Sequence, residues 1–216
     1  MKKRLPAWYE GRWIFLILIF GLLIANLTHL HLLWLLVLGS FLFCLWFFRD
    51  PERKSPADPA LAVSPADGTV TLVDEVVEDQ FFKNRMKRIS IFLSVFDVHV
   101  NRTPIDGEVL FTEGRGGLYL DARNPEASLL NESLFWAIGS RDGSRCSVGV
   151  KQITGAIARR IVPWAKQGEV LERGERFGMI RFGSRTDLYL PLDAEVLVAV
   201  GAKVKGGETA VARIAG

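Results

Sequence analysis

The feature that most constrains the fold is a run of 36 residues, Trp13–Phe48, that contains no Asp, Glu, Lys or Arg. A single helix needs only about 20 apolar residues to cross a bilayer. The polar break Thr28-His29-Leu30-His31 therefore predicts two shorter apolar helices, Trp13–Leu27 and Leu32–Phe48. A secretory signal peptide is excluded, because its apolar core would span about 7–15 residues and end in a small-residue cleavage site.

Basic residues flank this run at both outer ends and are absent from the loop between the two segments. They are Lys2, Lys3, Arg4 and Arg12 before it, and Arg49, Arg53 and Lys54 after it. The positive-inside rule then places both ends on the cytoplasmic side, with a helical hairpin between them. Each arm is slightly short, so a shallow re-entrant hairpin and two full spans both remain open. His29 and His31 are expected at the hairpin tip rather than on a metal.

The formal net charge of +3 and the pI near 9.0 arise largely from residues beside the hairpin. Attraction to anionic lipid headgroups explains this basicity, and no nucleic-acid partner is expected. Cys44 lies inside the apolar run and Cys146 lies outside it. No disulfide framework is implied, which indicates a reducing compartment for the soluble part.

Beyond the hairpin, the sequence predicts a Pro-rich linker, residues 49–66, and a β-rich domain, residues 67–216. Period-2 alternation and regular turn signals favour a mainly β fold, an antiparallel sandwich or barrel. Five runs carry this pattern: 69–77, 88–96, 107–114, 147–155 and 186–200. Residues 121–135 remain undecided between helix and loop.

Three residues outside the hairpin could carry chemistry. His99 follows an apolar strand, Asp67 lies in SPADGTV, and Ser184 follows Gly183 at the start of a strand pattern. A serine, a histidine and an aspartate can form a triad in which the aspartate orients the base. No G-x-S-x-G elbow supports an ordinary hydrolase. No second His or Cys stands at metal spacing from His99, so no metal is expected.

Five motifs together resemble the phosphatidylserine decarboxylase family in its short, membrane-bound prokaryotic form. They occur in one order between Phe47 and Leu190: FFRDPERKSP, VSPADGTV, FLSVFDVHVNRTPIDGEV, KQITGAIARRIV and GERFGMIRFGSR. The chain departs from longer members at Arg102, where they carry a second histidine three residues after the first.

The resemblance implies that the protein cuts itself between Gly183 and Ser184. The products would be a β chain of residues 1–183 and an α chain of residues 184–216, which together form a heterodimer. Ser184 would become a pyruvoyl group, the covalent cofactor that binds the substrate amine as a Schiff base. His99 and Asp67 match the family's histidine and P-A-D-G aspartate.

The implied reaction converts phosphatidylserine in the membrane to phosphatidylethanolamine, a carboxy-lyase step of phospholipid biosynthesis. Loss of CO2 leaves a carbanion that needs an electron sink, and a pyruvoyl ketone can serve as one. His99, oriented by Asp67, is the expected base for self-cleavage. Arg88, Arg102 and Arg185 are candidates to hold the phosphodiester of the substrate.

Two alternatives remain open. One is decarboxylation of another seryl lipid, such as an archaeal ether lipid, since the headgroup chemistry would be identical. The other is a membrane-anchored adaptor with a biotinyl/lipoyl-like sandwich, suggested by the similarity of residues 168–175 to residues 200–208, which both end in Gly-Glu. The chain lacks the lysine-bearing tip that such carriers modify.

Overall fold

The computed structural model describes residues 6–139, 146–156, 160–181 and 183–214. Lys2, Lys3 and Arg4 of the hairpin flank lie outside the described residues, as does the 157–159 part of the fourth motif. The chain divides into two compact units, Met1–Pro51 and Glu52–Gly216. The residues that follow Pro51 in the predicted linker thus group with the β-rich part of the chain.

The first unit is the predicted helical hairpin. A 3-10 turn, Ala7–Gly11, leads into helix α1, Arg12–Leu27, which is followed by helix α2, His31–Phe47. The chain reverses at His29, whose φ of 54° lies in the left-handed region. Ala7–Leu27 is long and apolar enough to span a membrane, with a mean hydropathy of 1.7, whereas His31–Phe47 is shorter than a typical span.

The second unit contains fourteen strands and one short helix among its described residues. The strands are Leu61–Val63 (β1), Gly68–Glu78 (β2), Asn84–Leu93 (β3), Val100–Arg102 (β4), Gly107–Arg115 (β5), Ser133–Gly139 (β6), Val148–Ile153 (β7), Arg160–Pro163 (β8), Val170–Leu171 (β9), Arg176–Arg181 (β10), Ser184–Leu190 (β11), Glu195–Val196 (β12), Lys203–Val204 (β13) and Ala210–Arg213 (β14). The helix is Ala127–Leu130 (α3).

The strands form three antiparallel sheets, which confirms the predicted mainly β fold. The largest sheet has eight strands in the order β13-β2-β3-β11-β7-β6-β5-β9, and two three-stranded sheets have the orders β4-β10-β8 and β1-β14-β12. β11 lies in the interior of the large sheet, where it pairs with β3 from Ser184–Leu93 to Leu190–Lys87 and with β7 on its other side.

One face of the large sheet packs into the hydrophobic core. Successive strand residues point to opposite faces, so Leu188 and Leu190 of β11 face the core together with Ile89 and Ile91 of β3. Ser184 and Thr186 share this inward face of β11. Arg185, Asp187 and Tyr189 of the same strand share the other face.

The structure differs from the predicted elements in three places. The linker contains β1, which pairs with β14. The run 186–200 is interrupted after Leu190 by a turn in which the Ala194 amide donates to the Pro191 carbonyl at 3.2 Å. The undecided segment 121–135 contains α3 and the start of β6.

The two similar segments that end in Gly174-Glu175 and Gly207-Glu208 meet in space. Gly174 and Gly207 have φ values of 79° and 78°, a backbone conformation that glycine adopts without strain. The Ser55 hydroxyl donates to the Gly207 carbonyl at 2.8 Å and lies 3.2 Å from the Arg173 carbonyl. The internal sequence similarity therefore corresponds to a pair of packed turns.

Candidate active site

The predicted cleavage site lies where β10 passes into β11. Gly183 has a φ of 60°, in the left-handed region that a side chain disfavours. Ser184 is fully buried, and its Oγ has no hydrogen-bond partner among the described residues. A buried hydroxyl normally forms a hydrogen bond. This hydroxyl is therefore an exception, and it lies directly after the left-handed turn at Gly183.

His99 contacts the residue that precedes Ser184. The Gly183 amide donates to His99 Nε2 at 3.1 Å, and His99 Nδ1 lies 2.9 Å from the Asp97 carbonyl oxygen. A carbonyl only accepts hydrogen bonds, so Nδ1 carries the proton and Nε2 presents a lone pair. The geometry thus places the basic nitrogen of a neutral imidazole at the predicted scissile turn.

The loop that carries His99 is fixed by its own aspartate. The Asp97 carboxylate accepts hydrogen bonds from the Ser94 amide at 2.8 Å and from the Ser94 hydroxyl at 2.7 Å. This closes the S-V-F-D turn and aims the Asp97 carbonyl at the imidazole. Sequence reasoning missed Asp97, although its position two residues before the histidine is a signal that could have revealed it.

The Asp67 carboxylate forms hydrogen bonds with groups other than the His99 imidazole. It accepts hydrogen bonds from the Gly206 amide at 2.8 Å and from Arg53 Nη2 at 2.8 Å. Burial raises the pKa of the Asp67 carboxyl, the bond from Gly206 and the charge of Arg53 lower it, and the nearby Asp97 charge raises it. The orienting acceptor at Nδ1 is the Asp97 carbonyl, and the catalytic role of Asp67 stays a prediction.

Gly155, at the end of the KQITG motif, lies against the carbonyl of Gly183, the predicted cleavage site. A Cβ built at Gly155 would be 2.5 Å from the Gly183 oxygen and 3.2 Å from Ala122 Cβ. Real Cβ contacts are not this short, so only glycine allows the backbone after β7 to approach Gly183 so closely. Sequence reasoning quoted this motif but assigned Gly155 no role.

A buried polar network lies along the inward face of β11. Asn101 Nδ2 donates to Thr186 Oγ1 at 3.1 Å, and Gln152 Nε2 donates to Asn101 Oδ1 at 2.8 Å. The Trp136 indole N–H donates to Gln152 Oε1 at 2.9 Å. Buried polar groups that satisfy one another specify a single arrangement. This network fixes the strand two residues beyond Ser184.

Two of the three candidate substrate-binding arginines, Arg88 of β3 and Arg185 of β11, lie on the face of the large sheet that is opposite to Ser184. Arg185 Nε donates to Asp187 Oδ1 at 2.6 Å, and Arg185 Nη2 donates to Ser90 Oγ at 2.7 Å. Arg88 forms a bidentate pair with Asp74 and lies 4.0 Å from Asp187 Oδ2. Because adjacent strand residues alternate in direction, Arg185 points away from the side on which Ser184 lies.

Arg102 lies in a different place, near Asp67. Its Nη1 donates to the Gly174 carbonyl at 3.0 Å. A Cβ built at Gly207 would be 2.8 Å from Arg102 Cδ and 3.5 Å from Arg53 Cβ, so the two arginines flank the same turn. The structure therefore does not bring the three candidates into one cluster, and their binding of substrate stays a prediction.

Comparison with known proteins gives one consistent answer. A family model described as phosphatidylserine decarboxylase matches residues 41–212, which include all the site residues above. The chain belongs to the phosphatidylserine decarboxylase family. This is a family of carboxy-lyases made as proenzymes.

Three relatives show how far the similarity extends, and each is called a phosphatidylserine decarboxylase proenzyme. The protein of Carboxydothermus hydrogenoformans is 45% identical over 100% of both chains. That of Symbiobacterium thermophilum is 48% identical over 82% of this chain and 81% of the relative. That of Trichlorobacter lovleyi is 49% identical over 80% of this chain and 77% of the relative.

Proposed function

We propose that this chain cleaves itself between Gly183 and Ser184, converts Ser184 to a pyruvoyl group and decarboxylates phosphatidylserine to phosphatidylethanolamine. One observation carries the proposal. The buried Ser184 Oγ has no hydrogen-bond partner among the described residues, and the preceding amide donates to the lone pair of His99 Nε2. Self-cleavage at one peptide bond requires a hydroxyl that is free of hydrogen bonds, a glycine in the left-handed conformation and a neutral imidazole.

Self-cleavage begins with attack of Ser184 Oγ on the Gly183 carbonyl carbon. The C–O bond forms as the C–N bond breaks, so the acyl group moves from nitrogen to oxygen and leaves an ester. Loss of the Ser184 α-proton then expels the Gly183 carboxylate and gives dehydroalanine. Water converts this residue to a pyruvoyl group and releases ammonia. The glycine at position 183 supports the first step because it adopts the left-handed turn without strain and has no Cβ to obstruct attack on its carbonyl carbon.

His99 supplies the base for this sequence. Its Nε2 accepts the Gly183 amide in the uncut chain, and for the reaction it exchanges that partner for the adjacent hydroxyl proton. The bond from Nδ1 to the Asp97 carbonyl keeps the proton on the other nitrogen and holds the ring in place. Asp97 is thus a positioning residue for the base.

Decarboxylation depends on the same place in the fold. The ketone of a pyruvoyl group supplies the electron sink that loss of CO2 from an amino-acid headgroup requires. The group fits here, because its precursor Ser184 is fully buried and has a network of satisfied polar side chains along its strand. Cleavage makes Gly183 a chain end that can move away together with its amide, and His99 Nε2, once it is protonated, can then deliver that proton to the carbanion carbon.

The apolar hairpin supports a function at the membrane. The substrate keeps its acyl chains in the bilayer, so the enzyme must reach the headgroup at the interface. The span-length helix Ala7–Leu27 provides an anchor. The basic residues outside both helices support a cytoplasmic position for the domain.

Intact mass of the purified protein tests the proposal. The wild-type chain should give two polypeptides, residues 1–183 and 184–216, with the smaller one blocked to Edman sequencing. Ser184→Ala should remain a single chain and release no CO2 from carboxyl-labelled phosphatidylserine, because no hydroxyl can attack. Ser133→Ala, which removes another buried hydroxyl, should still cleave. Normal CO2 release from an uncut Ser184→Ala chain would exclude the mechanism.

A further inference from the structure

The segment between β5 and β6 covers one side of the scissile turn. We call residues 116–132 the covering segment. Its two ends are joined by the Leu118 amide, which donates to the Leu130 carbonyl at 2.7 Å, and by the Glu132 amide, which donates to the Leu118 carbonyl at 3.1 Å. The segment is therefore a closed loop with its own hydrogen bonds, and not an extended linker.

Buried contacts attach the covering segment to the site. Asn131 is buried, and its Nδ2 donates to the Thr154 carbonyl at 2.9 Å, one residue before Gly155. Ala122 of the same segment meets Gly155 on the side where Gly155 approaches the Gly183 carbonyl. The position of the covering segment is thus fixed relative to the cleavage site.

The covering segment exposes four apolar side chains, beside charged ones such as Asp121 and Arg123. Leu129 is 83% exposed and Leu118 is 55% exposed, and Leu130 and the ring of Tyr119 are exposed beside them. Leu118 and Leu130 are adjacent because of the hydrogen bond that joins them. Single exposed leucines need no explanation, but a group of them next to an active site indicates an interaction surface.

The chain enters the domain at the same end of the large sheet. Arg53, shortly after the apolar helices in sequence, pairs with Asp67 at 2.8 Å. The next residue, Gly68, begins β2 and packs against the Phe92 carbonyl, and Phe92 pairs with Arg185 of β11. The membrane-anchored sequence therefore joins the domain at the end of β11 that carries Ser184.

We propose that the exposed leucines of the covering segment insert into the bilayer and dock the cleavage site against the headgroup layer. This proposal rests on the proposed function, since a lipid substrate has to be presented to residue 184. A bilayer fits better than a second copy of the chain, because the patch lies where the anchored sequence enters the domain. The hairpin keeps the protein at the membrane, and the covering segment orients its active site.

The test uses full-length protein in which Leu118→Ser and Leu129→Ser are combined. We expect the rate on phosphatidylserine in vesicles to fall at least about tenfold, because two leucine side chains no longer enter the bilayer. The rate on a dispersed short-chain phosphatidylserine should change less than about twofold, because that substrate needs no docking. Equal losses on both substrates, or no loss on vesicles, would overturn the proposal.

The matched control is Val77→Ser. Val77 is 65% exposed and pairs with Arg85 of β3. Arg85 lies eight residues along β3 from Leu93, which pairs with Ser184. At about 3.3 Å a residue it lies about 26 Å away along the strand. The control should leave both rates unchanged, and a vesicle-specific loss there would show that any exposed apolar residue has the same effect.

A second measurement is independent of activity. In a Cys44→Ala/Cys146→Ala chain, an environment-sensitive fluorophore on Leu129→Cys should be quenched by brominated lipids, whereas one on Val77→Cys should not. An unquenched label at residue 129 overturns the proposal, including the case in which cross-linking shows a second copy there. If the wild-type chain fails to cleave itself or to release CO2, the proposed function fails, while the quenching result still decides whether the segment docks.

Discussion

At the residue scale, the site depends on which atom of each side chain is engaged. The sequence does not show which of the two ring nitrogens of His99 carries the proton. The Asp97 carbonyl can accept a hydrogen bond only from a protonated Nδ1. The basic lone pair is therefore on Nε2, where the Gly183 amide already lies. One backbone carbonyl therefore fixes the tautomer of His99, and it leaves Nε2 as the nitrogen that can accept a proton.

His99→Ala should accumulate as an uncut chain with normal membrane binding. A general base contributes about 10²–10⁴-fold to rate, so cleavage should slow from its normal time course to days. Gel electrophoresis of time points after synthesis measures this directly. Arg102→Ala is the control, because a guanidinium stays protonated at neutral pH and is a poor base. If Arg102→Ala blocked cleavage and His99→Ala did not, the assignment of His99 as the base would be wrong.

Gly155→Ala should slow self-cleavage by displacing the scissile carbonyl. The added Cβ would lie 2.5 Å from the Gly183 oxygen, which must shift before the two atoms fit. A misplacement of about 1 Å costs about 100-fold in a positioned reaction. The fraction of uncut chain against time is the measurement.

Gly116→Ala is the matched control for this substitution. A Cβ at Gly116 meets nothing within 4 Å, so the same added methyl group should leave the cleavage rate unchanged. If Gly155→Ala also cleaves at the wild-type rate, the close approach of the two backbones has no part in the reaction.

At the element scale, side chains alternate between the two faces of β11, so the predicted reactive serine and the buried charged residues lie on opposite faces. Its inward face carries Ser184 and Thr186, and its outward face carries Arg185, Asp187 and Tyr189. All seven residues of the strand are buried. On the outward face, Lys151 donates to the Ser128 carbonyl at 2.8 Å, and burial lowers the pKa of its ammonium group. The negative charge of Asp187 is the centre of this buried group of cations.

Asp187→Ala should strongly destabilise the domain. Its carboxylate is fully buried and pairs with Arg185, whose side chain is only 4% exposed. Removing one member of a buried pair leaves the other charge uncompensated and costs about 3–5 kcal/mol. The free energy of unfolding can be measured by urea denaturation in detergent, with circular dichroism, in a Ser184→Ala background that keeps the chain intact.

Glu75→Ala in the same background is the control. Glu75 pairs with Arg85 at 2.8 Å, but the two side chains are 44% and 66% exposed. An exposed pair contributes at most about 1 kcal/mol, because water and salt screen it. Equal destabilisation by both substitutions would mean that the charge cluster around Asp187 contributes no more than a surface pair.

At the scale of the whole molecule, the proposed cut divides the sheets without dividing the fold. Residues 184–216 contain β11, β13 and β14, which pair with β3 and β7, with β2 and with β1 of the longer chain. Leu188, Leu190, Val204 and Val211 from the shorter chain belong to the main core.

The two chains should therefore stay together after cleavage. Separation would break both hydrogen-bonded edges of β11 and expose core residues, and each buried leucine alone contributes about 1.5–3 kcal/mol. Size-exclusion chromatography in mild detergent should show both chains in one peak, and they should separate only in SDS. Loss of the small chain under mild conditions would contradict this pairing.

Much of this protein follows from its sequence. The uncharged run determines the hairpin, because a bilayer-length apolar stretch has few alternatives, and period-2 alternation determines the β class. The motifs predict Gly183, Ser184 and His99 as site residues, since each lies in a local pattern that the chain carries in one place. The strand β1 was not predictable, because its partner β14 is distant in sequence. The interruption after Leu190 had a local signal in Pro191, because proline disfavours the interior of a strand.

The partners of the site residues were decided by tertiary structure alone. The fold gives Asp67 hydrogen bonds from Arg53 and Gly206 and gives the His99 Nδ1 contact to the Asp97 carbonyl, and the predicted role of Asp67 in orienting His99 stays a prediction. Arg185 adjoins Ser184 in sequence, yet strand alternation turns it to the opposite face. Local sequence specifies which groups are present and which face of a strand they take, whereas long-range packing determines which groups meet. The sequence by itself thus determined the apolar hairpin, the β class and the bond at which cleavage is proposed, and the tertiary structure decided which atoms surround that bond.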